Sequence, residues 1–481
     1  MFRNWISMAG FVVVLGSLFA SILLFAIEVL SGVSNPYVGV LTYMVAPAFL
    51  MLGLAMAFYG AWMQKRKIAK LHSTNIPLII DLARLRDRRI LVAFIAASAG
   101  FLLLTALGSY HTYHFTESVQ FCGQVCHTVM KPELVTYQHS PHARVLCAEC
   151  HIGSGATWYV KSKLSGAYQV YSTIAKKYPR PVPTPVKNLR PAQETCEKCH
   201  WPQAFVGNVD RTFTHFLGDE TNTMHTIRMS LKVGGADPSR GPVGGIHWHM
   251  NVGNKIEYAA TDPARQVIPY VRMTDSQGAV TEFRTAKFTN DVATLNLRKL
   301  DCMDCHNRPS HQYKSPNKAV DLAMALGKID VSLPYVKTNA VWVLMQTNAT
   351  EAEGVQKIAT MLNQRYPTLH ETPKLTKTIA AVQEIYRDNF FPEMNANWKS
   401  YPDDIGHKDW PGCARCHDDK HKSSDGKQTI KFSNCNACHT ILAQGNDKDL
   451  EQLNPKGVEF KHPGEAWDPE FKCTDCHTGG L

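Results

Sequence analysis

The chain has 481 residues and a formal net charge of +10, a balance that would suit an acidic partner such as nucleic acid. Most of this charge is local, because residues 64–89 alone hold eight Lys and Arg against two Asp. The distribution therefore predicts no nucleic-acid partner and favours a role for this basic segment in membrane topology.

Three apolar runs near the N-terminus, at about residues 9–30, 37–63 and 90–110, are each long enough to cross a bilayer. The basic segment lies between the second and third runs, and the positive-inside rule places it in the cytoplasm. We therefore expect a three-pass membrane protein with a cytoplasmic, uncleaved N-terminus and with everything after Tyr110 outside. None of the runs contains a His, which excludes a membrane-embedded b-type haem held by two histidines.

Beyond the membrane runs, a Cys-x-x-Cys-His motif occurs six times, preceded by one longer copy, Cys-x-x-x-Cys-His. This motif is the attachment signature of haem c: two thiols bind the haem vinyl groups, and the His becomes an axial ligand of the iron. The motifs contain all 14 cysteines, in pairs: Cys122 and Cys126, Cys147 and Cys150, Cys196 and Cys199, Cys302 and Cys305, Cys413 and Cys416, Cys435 and Cys438, Cys473 and Cys476. Their histidines are His127, His151, His200, His306, His417, His439 and His477.

Other uses of paired cysteines do not explain this pattern. Zinc ribbons need no His after every second Cys, thioredoxin-like sites carry a single pair, and disulfide frameworks do not repeat one spacing. We therefore predict seven covalently bound haems c with their irons. Because bacteria attach haem c outside the cytoplasmic membrane, this prediction agrees with the topology and places the haem domain in the periplasm.

Thr116-Glu117-Ser118 leads to Phe121-Cys122, Met130 and Pro132 follow the first motif, and Tyr-Gln-His-Ser-Pro-His at residues 137–142 leads to the second. These stretches, within about residues 116–200, resemble the NapC/NirT family of membrane-anchored quinol dehydrogenases. The whole chain is most similar to the larger seven-haem inner-membrane cytochromes of the ImcH type. Two features depart from the family: its first motif is normally Cys-x-x-Cys-His-x-Met, and its members usually have one membrane helix.

The resemblance implies that quinol is oxidised near the first haem, whose iron the family's motif Met binds in place of the His. Here His127 and Met130 stand three residues apart, which puts them on one face if this stretch is helical, and either could be the ligand. Ordinary packing of Met130 is the alternative.

A family lysine that lines the quinol pocket is matched by Lys161 and Lys163, within an amphipathic helix suited to the membrane interface. The family's pocket aspartate falls near Ser165 and is missing. The alternative for both lysines is contact with lipid phosphates.

The remaining chain shows mixed patterns. Residues 267–274 and 279–284 flank Asp275-Ser276-Gln277-Gly278, which predicts a hairpin in a β-rich insertion. Residues 319–326, 352–362 and 375–390 have helical apolar spacing. The predicted fold is a membrane-anchored multihaem cytochrome c: three N-terminal transmembrane α-helices, then a mainly α/irregular haem-packed domain with a small β-rich insertion. The predicted divisions are 1–110 transmembrane, 111–200 NapC/NirT-like with three haems, 201–300 β-rich, 301–400 helical with the fourth haem, and 401–481 with three haems packed too densely for an independent core.

Several histidines outside the motifs could bind the second face of a haem iron. The candidates, together with Met130, are His139, His142, His215, His225, His247, His249, His311, His407, His421 and His462, whereas His370 is the expected bystander. Two imidazoles leave no open position on the iron, which suits electron transfer.

These features predict a menaquinol or ubiquinol dehydrogenase that passes electrons through the haems to periplasmic c-type cytochromes or a reductase. One alternative is a terminal reductase with a haem open to nitrite, hydroxylamine or a sulfur oxyanion. Every motif ends in His, with no Cys-x-x-Cys-Lys variant, which disfavours that alternative. The other is a passive membrane-tethered electron wire without a quinol site.

Overall fold

In a computed structural model, the described residues are 4–31, 45–71, 82–125, 127–152, 156–186, 189–235, 244–251, 253–464 and 471–480. They form two compact units. The first unit consists of Met1–His127 and Val145–Lys177, and the second of Thr128–Arg144 and Tyr178–Leu481.

The described part of the first unit is helical. It contains α1 (Trp5–Ser31), α2 (Ala46–Leu71), α3 (Leu85–Glu117), the start of α4 (His127–Gln138), α5 (Cys147–His151) and α6 (Ala156–Ile174). Helices α1 and α2 pack antiparallel: the Ser7 hydroxyl donates to the Ala57 carbonyl at 2.9 Å, and the Ser17 hydroxyl donates to the Ala46 carbonyl.

Glycines allow α1 and α2 to approach closely. A Cβ added at Gly10 would lie 2.6 Å from the Gly53 carbonyl oxygen, and one at Gly53 would lie 2.8 Å from the Gly10 carbonyl oxygen. Neither distance leaves room for a methyl group. Small residues at the contact between two helices are typical of helix pairs in membranes.

Two windows, Trp5–Ile22 in α1 and Ala46–Ala69 in α2, are long and apolar enough to cross a membrane. Only 17% of the first window and 28% of the second are buried, whereas a core helix of a soluble protein would be mostly buried. Residues 37–44 of the second predicted run lie outside the described part. The third predicted run, residues 90–110, lies within α3, and its crossing of the membrane stays a prediction.

The second unit has a helical core. Its helices after α4 are α7 (Ala192–Thr195), α8 (Pro316–Ala325), α9 (Val336–Leu344), α10 (Glu351–Arg365), α11 (Pro373–Asn389) and α12 (Cys473–Cys476). The hydroxyls of Ser315, Thr350 and Thr372 cap the N-termini of α8, α10 and α11. The three helices predicted from apolar spacing are thus confirmed, whereas α9 was not predicted.

A conventional hydrophobic core lies among α8, α9, α10 and α11. Val320, Val336, Leu362 and Leu375 are completely buried there. The aromatic side chains that pack around them are Tyr386, Phe390, Phe391, Trp398 and Tyr401. The burial of these apolar side chains stabilises this part of the protein.

Two antiparallel sheets accompany this core. Their strands are β1 (Val209–Phe216), β2 (Met224–Leu231), β3 (Lys255–Ala259), β4 (Tyr270–Thr274), β5 (Val280–Arg284), β6 (Arg298–Lys299), β7 (Lys422–Ser423) and β8 (His439–Gly445). The three-stranded sheet has the order β1-β2-β8, and the five-stranded sheet has the order β6-β3-β4-β5-β7.

The predicted hairpin is confirmed as β4 and β5, although β4 begins at Tyr270 rather than at residue 267. The Asp275 N–H donates to the Ala279 carbonyl at 3.0 Å, and Gly278 takes φ +85°, a conformation that favours glycine. Strands β7 and β8 complete the two sheets from the C-terminal region. The predicted divisions 201–300 and 401–481 therefore share their sheets.

Candidate haem sites

The standard motifs fold into tight helical turns. The N–H of the motif His donates to the carbonyl of the first Cys at 2.8 Å in the third and fourth motifs, 3.0 Å in the fifth and 2.7 Å in the seventh. Residues at positions i, i+3 and i+4 share one face of such a turn. Each turn can therefore present two thiols and one imidazole to the same haem.

The stretched first motif lies on a different kind of turn. Phe121–Val125 is a π-helical turn, and α4 begins at His127, while Cys126 lies outside the described residues. A π-helix repeats at i+5 rather than i+4. In this motif the His follows the first Cys by five positions instead of four, so the wider turn accommodates the additional residue.

Among the residues that the structure describes, five motif histidines each face a second imidazole ring. The ring centroids are 6.0 Å apart for His142 and His200, 6.3 Å for His247 and His306, 5.9 Å for His249 and His417, 6.3 Å for His407 and His439, and 5.9 Å for His462 and His477. All five partners belong to the set of candidates taken from the sequence. Their pairing could not be read from spacing, since the two members of a pair are as far as 168 positions apart in the chain.

These separations fit an iron between the rings. Imidazole nitrogens bind such metals at about 2 Å, so two rings on opposite sides of one iron have centroids about 6 Å apart. By contrast, no group of three or more His, Cys, Asp or Glu side chains among the described residues is arranged to hold a metal ion by itself. The donor sets therefore suit a haem better than a zinc ion.

Three of the partner histidines are oriented through their other ring nitrogen. The Nδ1 of His142 lies 3.2 Å from the Pro309 carbonyl. The Nδ1 of His247 lies 2.6 Å from the Val233 carbonyl, and the Nδ1 of His249 lies 2.8 Å from the Ile246 carbonyl. A carbonyl only accepts, so Nδ1 must carry the proton. Nε2 is then unprotonated and available to an iron, as in other metal sites.

Burial also favours the neutral imidazole that a metal requires. It lowers the pKa of His249, His306, His407, His439 and His477. These rings therefore stay unprotonated at neutral pH even before an iron is bound.

The other candidates differ in their surroundings. His311 resembles the paired histidines, because its Nδ1 lies 3.0 Å from the Glu133 carbonyl. The ring of His139 lies against the Val135 carbonyl and Asp388. His215 and His225 are opposite each other on β1 and β2, and His215 Nδ1 contacts the Asp321 carboxylate at 3.0 Å.

The structure corrects the prediction for His421. Its Nδ1 lies 2.8 Å from the Asp418 carboxylate and its Nε2 lies 2.7 Å from the Ile268 carbonyl, and the residue is only 1% exposed. Neither nitrogen is left for an iron, so His421 stabilises the loop before β7 instead.

Within each unit, successive motifs lie next to each other. In the first unit, a hydrogen bond from the Cys122 thiol lowers the pKa of Cys147 to about 7. In the second unit, the Cys196 thiol likewise lowers the pKa of Cys302. Burial raises the pKa of Cys305 and Cys438, and the nearby Cys413 thiol raises both pKa values further.

Cys473 Sγ lies 3.8 Å from Nδ1 of His407, the partner of the sixth motif's histidine. The third to seventh motifs therefore follow one another in space in their sequence order.

Two residues inside the motifs join the fourth and fifth turns. The buried Asp304 carboxylate accepts from Tyr258 at 2.6 Å, Arg298 at 2.8 Å and Arg265 at 2.9 Å. Arg415 donates to the Asp304 carbonyl and forms a buried ion pair with Asp404 at 3.1 Å. Sequence reasoning missed both, although a charged residue directly before the second Cys could have indicated them.

The residues predicted for the quinol site are placed as follows. Lys161 and Lys163 lie on α6, and their side chains are outside the described part. Met130 is partly buried on α4, three residues after His127, and its binding to the first haem iron stays a prediction.

Comparison with known proteins places these features in a family. Residues 85–182 match the model of the N-terminal region of the NapC/NirT cytochrome c family, and residues 406–480 match the cytochrome c3 model. No solved structure matches the chain. The chain is 39% identical over 487 residues to the cytochrome c-type protein ImcH of Geobacter sulfurreducens, an alignment that covers 98% of this chain and 95% of that protein. The chain therefore belongs to the ImcH-type group of NapC/NirT multihaem cytochromes, electron-transfer proteins with covalently bound haem c.

Proposed function

We propose that the protein is a membrane quinol dehydrogenase that passes electrons from menaquinol or ubiquinol to periplasmic c-type cytochromes or a reductase. Seven haems c, attached at the seven motifs, would supply the one-electron redox centres for this transfer. The observation that carries the proposal is the set of five His–His pairs in the second unit. Because the two histidines of each pair would hold the iron from both sides, these sites suit electron transfer rather than substrate binding.

The terminal-reductase alternative needs an open axial position on one iron. The five paired motifs offer none, so a reductase would have to act at the first or second motif. The passive-wire alternative needs no quinol site. We favour quinol oxidation because the family match includes the first two motifs and α6, the segments to which the resemblance assigns the quinol site.

The quinol site is proposed at the outer surface of the membrane, beside the first motif. Cys122 is twelve positions beyond the predicted third span, which corresponds to about 18 Å of helix. At that distance from the end of the span, the first haem would be close enough to the membrane for a lipid-soluble quinol to approach it. Met130 is the proposed second ligand of the first iron, and Lys161 or Lys163 is proposed to accept a proton from the quinol.

Helix α6 has the character of an interfacial helix. Leu164, Tyr168 and Ile174 are 68%, 65% and 79% exposed. Apolar side chains so exposed on one helix are stable when they enter the headgroup region of a bilayer. This supports the proposal that α6 lies in the outer leaflet of the inner membrane. The proposed topology has three helices crossing this membrane and the haem-binding part in the periplasm.

The test is reduction of the purified protein in detergent by a naphthoquinol. We expect Lys161→Ala or Lys163→Ala to slow this reduction at least several-fold while reduction by dithionite stays unchanged. Lys177→Ala, just after α6, is the matched control and should keep the wild-type rate. Met130→Leu should slow the quinol reaction and change the absorption of a minority of the haems. Wild-type quinol rates in all of these variants would contradict the proposed site.

A further inference from the structure

A five-residue turn contributes to two of the His–His pairs. The turn Ile246–Met250 carries His247 and His249 on either side of Trp248. His247 faces His306 of the fourth motif, and His249 faces His417 of the fifth motif. One short piece of backbone therefore reaches two consecutive haem-attachment sites.

The turn is fixed to the end of strand β2. The Ile246 N–H donates to the Lys232 carbonyl at 2.7 Å, and the His247 N–H donates to the Gly234 carbonyl at 3.2 Å. The Lys232 N–H in turn donates to the carbonyl of Cys438 in the sixth motif at 2.8 Å. The turn is thus connected to the three-stranded sheet and, through it, to the neighbouring haem-attachment turn.

Gly245 allows the turn to approach the backbone that follows strand β2. It takes φ +121°, and a Cβ there would lie 2.6 Å from the Lys232 carbonyl oxygen and 2.8 Å from the Gly234 carbonyl oxygen. On the other side of the turn, Trp248 packs against the small core of the five-stranded sheet. With both sides held, the turn has little freedom to shift the two imidazoles.

The two pairs differ in the angle between their rings. The planes of His247 and His306 are 5° apart, whereas those of His249 and His417 are 81° apart. Parallel imidazoles donate π-electron density into the same iron d orbital and separate it in energy from its partner. Perpendicular imidazoles act on both orbitals equally and leave them nearly degenerate.

We propose that the turn Ile246–Met250 supplies the second axial ligands of two consecutive haems, those of the fourth and fifth motifs, and holds them in two different electronic classes. This inference rests on the haem attachment in the proposed function but not on the quinol site. The oxidised fourth haem is then a rhombic low-spin centre, and the fifth is a highly anisotropic low-spin centre.

The test uses the full-length holoprotein with His247→Met and His249→Met, each changing one ligand. Electron paramagnetic resonance of the oxidised protein should lose about one haem equivalent of the rhombic signal in His247→Met. His249→Met should instead lose about one equivalent of the highly anisotropic signal. Each variant should gain a near-infrared His–Met charge-transfer band, and intact mass should show the wild-type number of haems. His370→Met, at an exposed histidine, is the control and should change neither signal.

Gly245→Ala provides a second route if either variant does not accumulate. It keeps both imidazoles but forces the turn away from β2, so it should perturb both signals together. Gly278→Ala, which also has a positive φ but has nothing within 4 Å of its Cβ, should perturb neither.

The outcomes separate this inference from the proposed function. Loss of the same signal class in both histidine variants would overturn the two electronic classes. Loss of neither class would overturn the ligand assignment, even if quinol reduction is normal. Conversely, the expected spectra in a protein that does not react with quinol would support the assignment and contradict the proposed quinol dehydrogenase.

Discussion

At the residue scale, the variable positions of the haem motifs contribute to the structure between the haems. Asp304, in the fourth motif, is 3% exposed and receives hydrogen bonds from two arginines and one tyrosine. Burying a carboxylate is unfavourable unless its lone pairs are satisfied, and here three donors satisfy them. The same residue accepts from Arg415 of the fifth motif through its backbone. A single acidic residue thus couples two attachment turns.

We predict that Asp304→Ala destabilises the holoprotein by about 3 kcal/mol, because it leaves Tyr258 and two arginines without their acceptor. The measurement is the midpoint of guanidinium unfolding followed by circular dichroism. The control is Glu384→Ala, which removes an exposed ion pair with Lys328 and should cost less than about 1 kcal/mol. Equal midpoints for the two variants would show that the Asp304 cluster is not a major source of stability.

At the element scale, a buried ion pair connects α8, α9 and β1. Lys337 Nζ lies 2.5 Å from the Asp321 carboxylate, and the two side chains are 2% and 6% exposed. Asp321 also accepts from the Phe216 N–H at 3.0 Å. Burial lowers the pKa of Lys337 to about 8 despite the nearby carboxylate. Each charge therefore depends on the other to be tolerated inside the protein.

We predict that Lys337→Met costs about 3–5 kcal/mol of unfolding free energy, since it leaves the Asp321 charge buried without its cation. The double variant Lys337→Met with Asp321→Asn should be more stable than Lys337→Met alone, because the amide needs no counter-charge. A double-mutant cycle by guanidinium unfolding gives the coupling energy. Additive effects of the two changes would mean that the pair does not couple these elements.

A second prediction at this scale concerns the pair formed by α1 and α2. Gly10→Ala should lower the stability of the protein in detergent by about 1–3 kcal/mol, because its methyl would overlap the backbone of α2. Gly100→Ala, in α3 with nothing within 4 Å of its Cβ, is the matched control. It should be neutral or stabilising by up to about 1 kcal/mol, because alanine is the better helix former. Thermal unfolding in detergent compares them, and equal melting temperatures would exclude a tight α1–α2 contact.

Some helices and strands could be predicted from sequence patterns, and others could not. The hairpin at Asp275–Gly278 and helix α11 were predictable because their turn residues, caps and apolar periods are local signals. Helix α9 was missed because Val336, Ala340, Val341, Val343 and Leu344 are all buried, which removes the contrast between an apolar and a polar face. Strand β8 was missed because its pairing with β2 spans more than 200 residues.

At the scale of the whole molecule, covalent chemistry was the most predictable feature. The motifs are visible in sequence because attachment requires both thiols and the His within five or six positions. The second ligands are not, because tertiary structure brings together residues such as His249 and His417, which are 168 positions apart in the chain. Spacing gave a set of candidates, and tertiary structure distinguished the five paired histidines from His421.

The whole chain also makes a prediction about topology. We expect the N-terminus and the basic segment in the cytoplasm and the chain end in the periplasm, because eight Lys and Arg lie between the second and third apolar runs. A fluorescent protein that matures only in the cytoplasm should be bright when fused after Arg89. The same fluorescent protein should be dark when fused after Leu481. Alkaline phosphatase, which is active only in the periplasm, should be active when fused there.

Together with a reporter before Met1, the position after Arg89 distinguishes three crossings from two. If α3 does not cross the membrane, the two fusions report the same compartment. If α3 crosses but only one of α1 and α2 does, a reporter placed before Met1 lies opposite to one placed after Arg89. The three-pass prediction requires cytoplasmic reports at both of these positions and a periplasmic report after Leu481. In that combination all seven attachment motifs lie on the side where haem c is attached, and the basic segment stays in the cytoplasm.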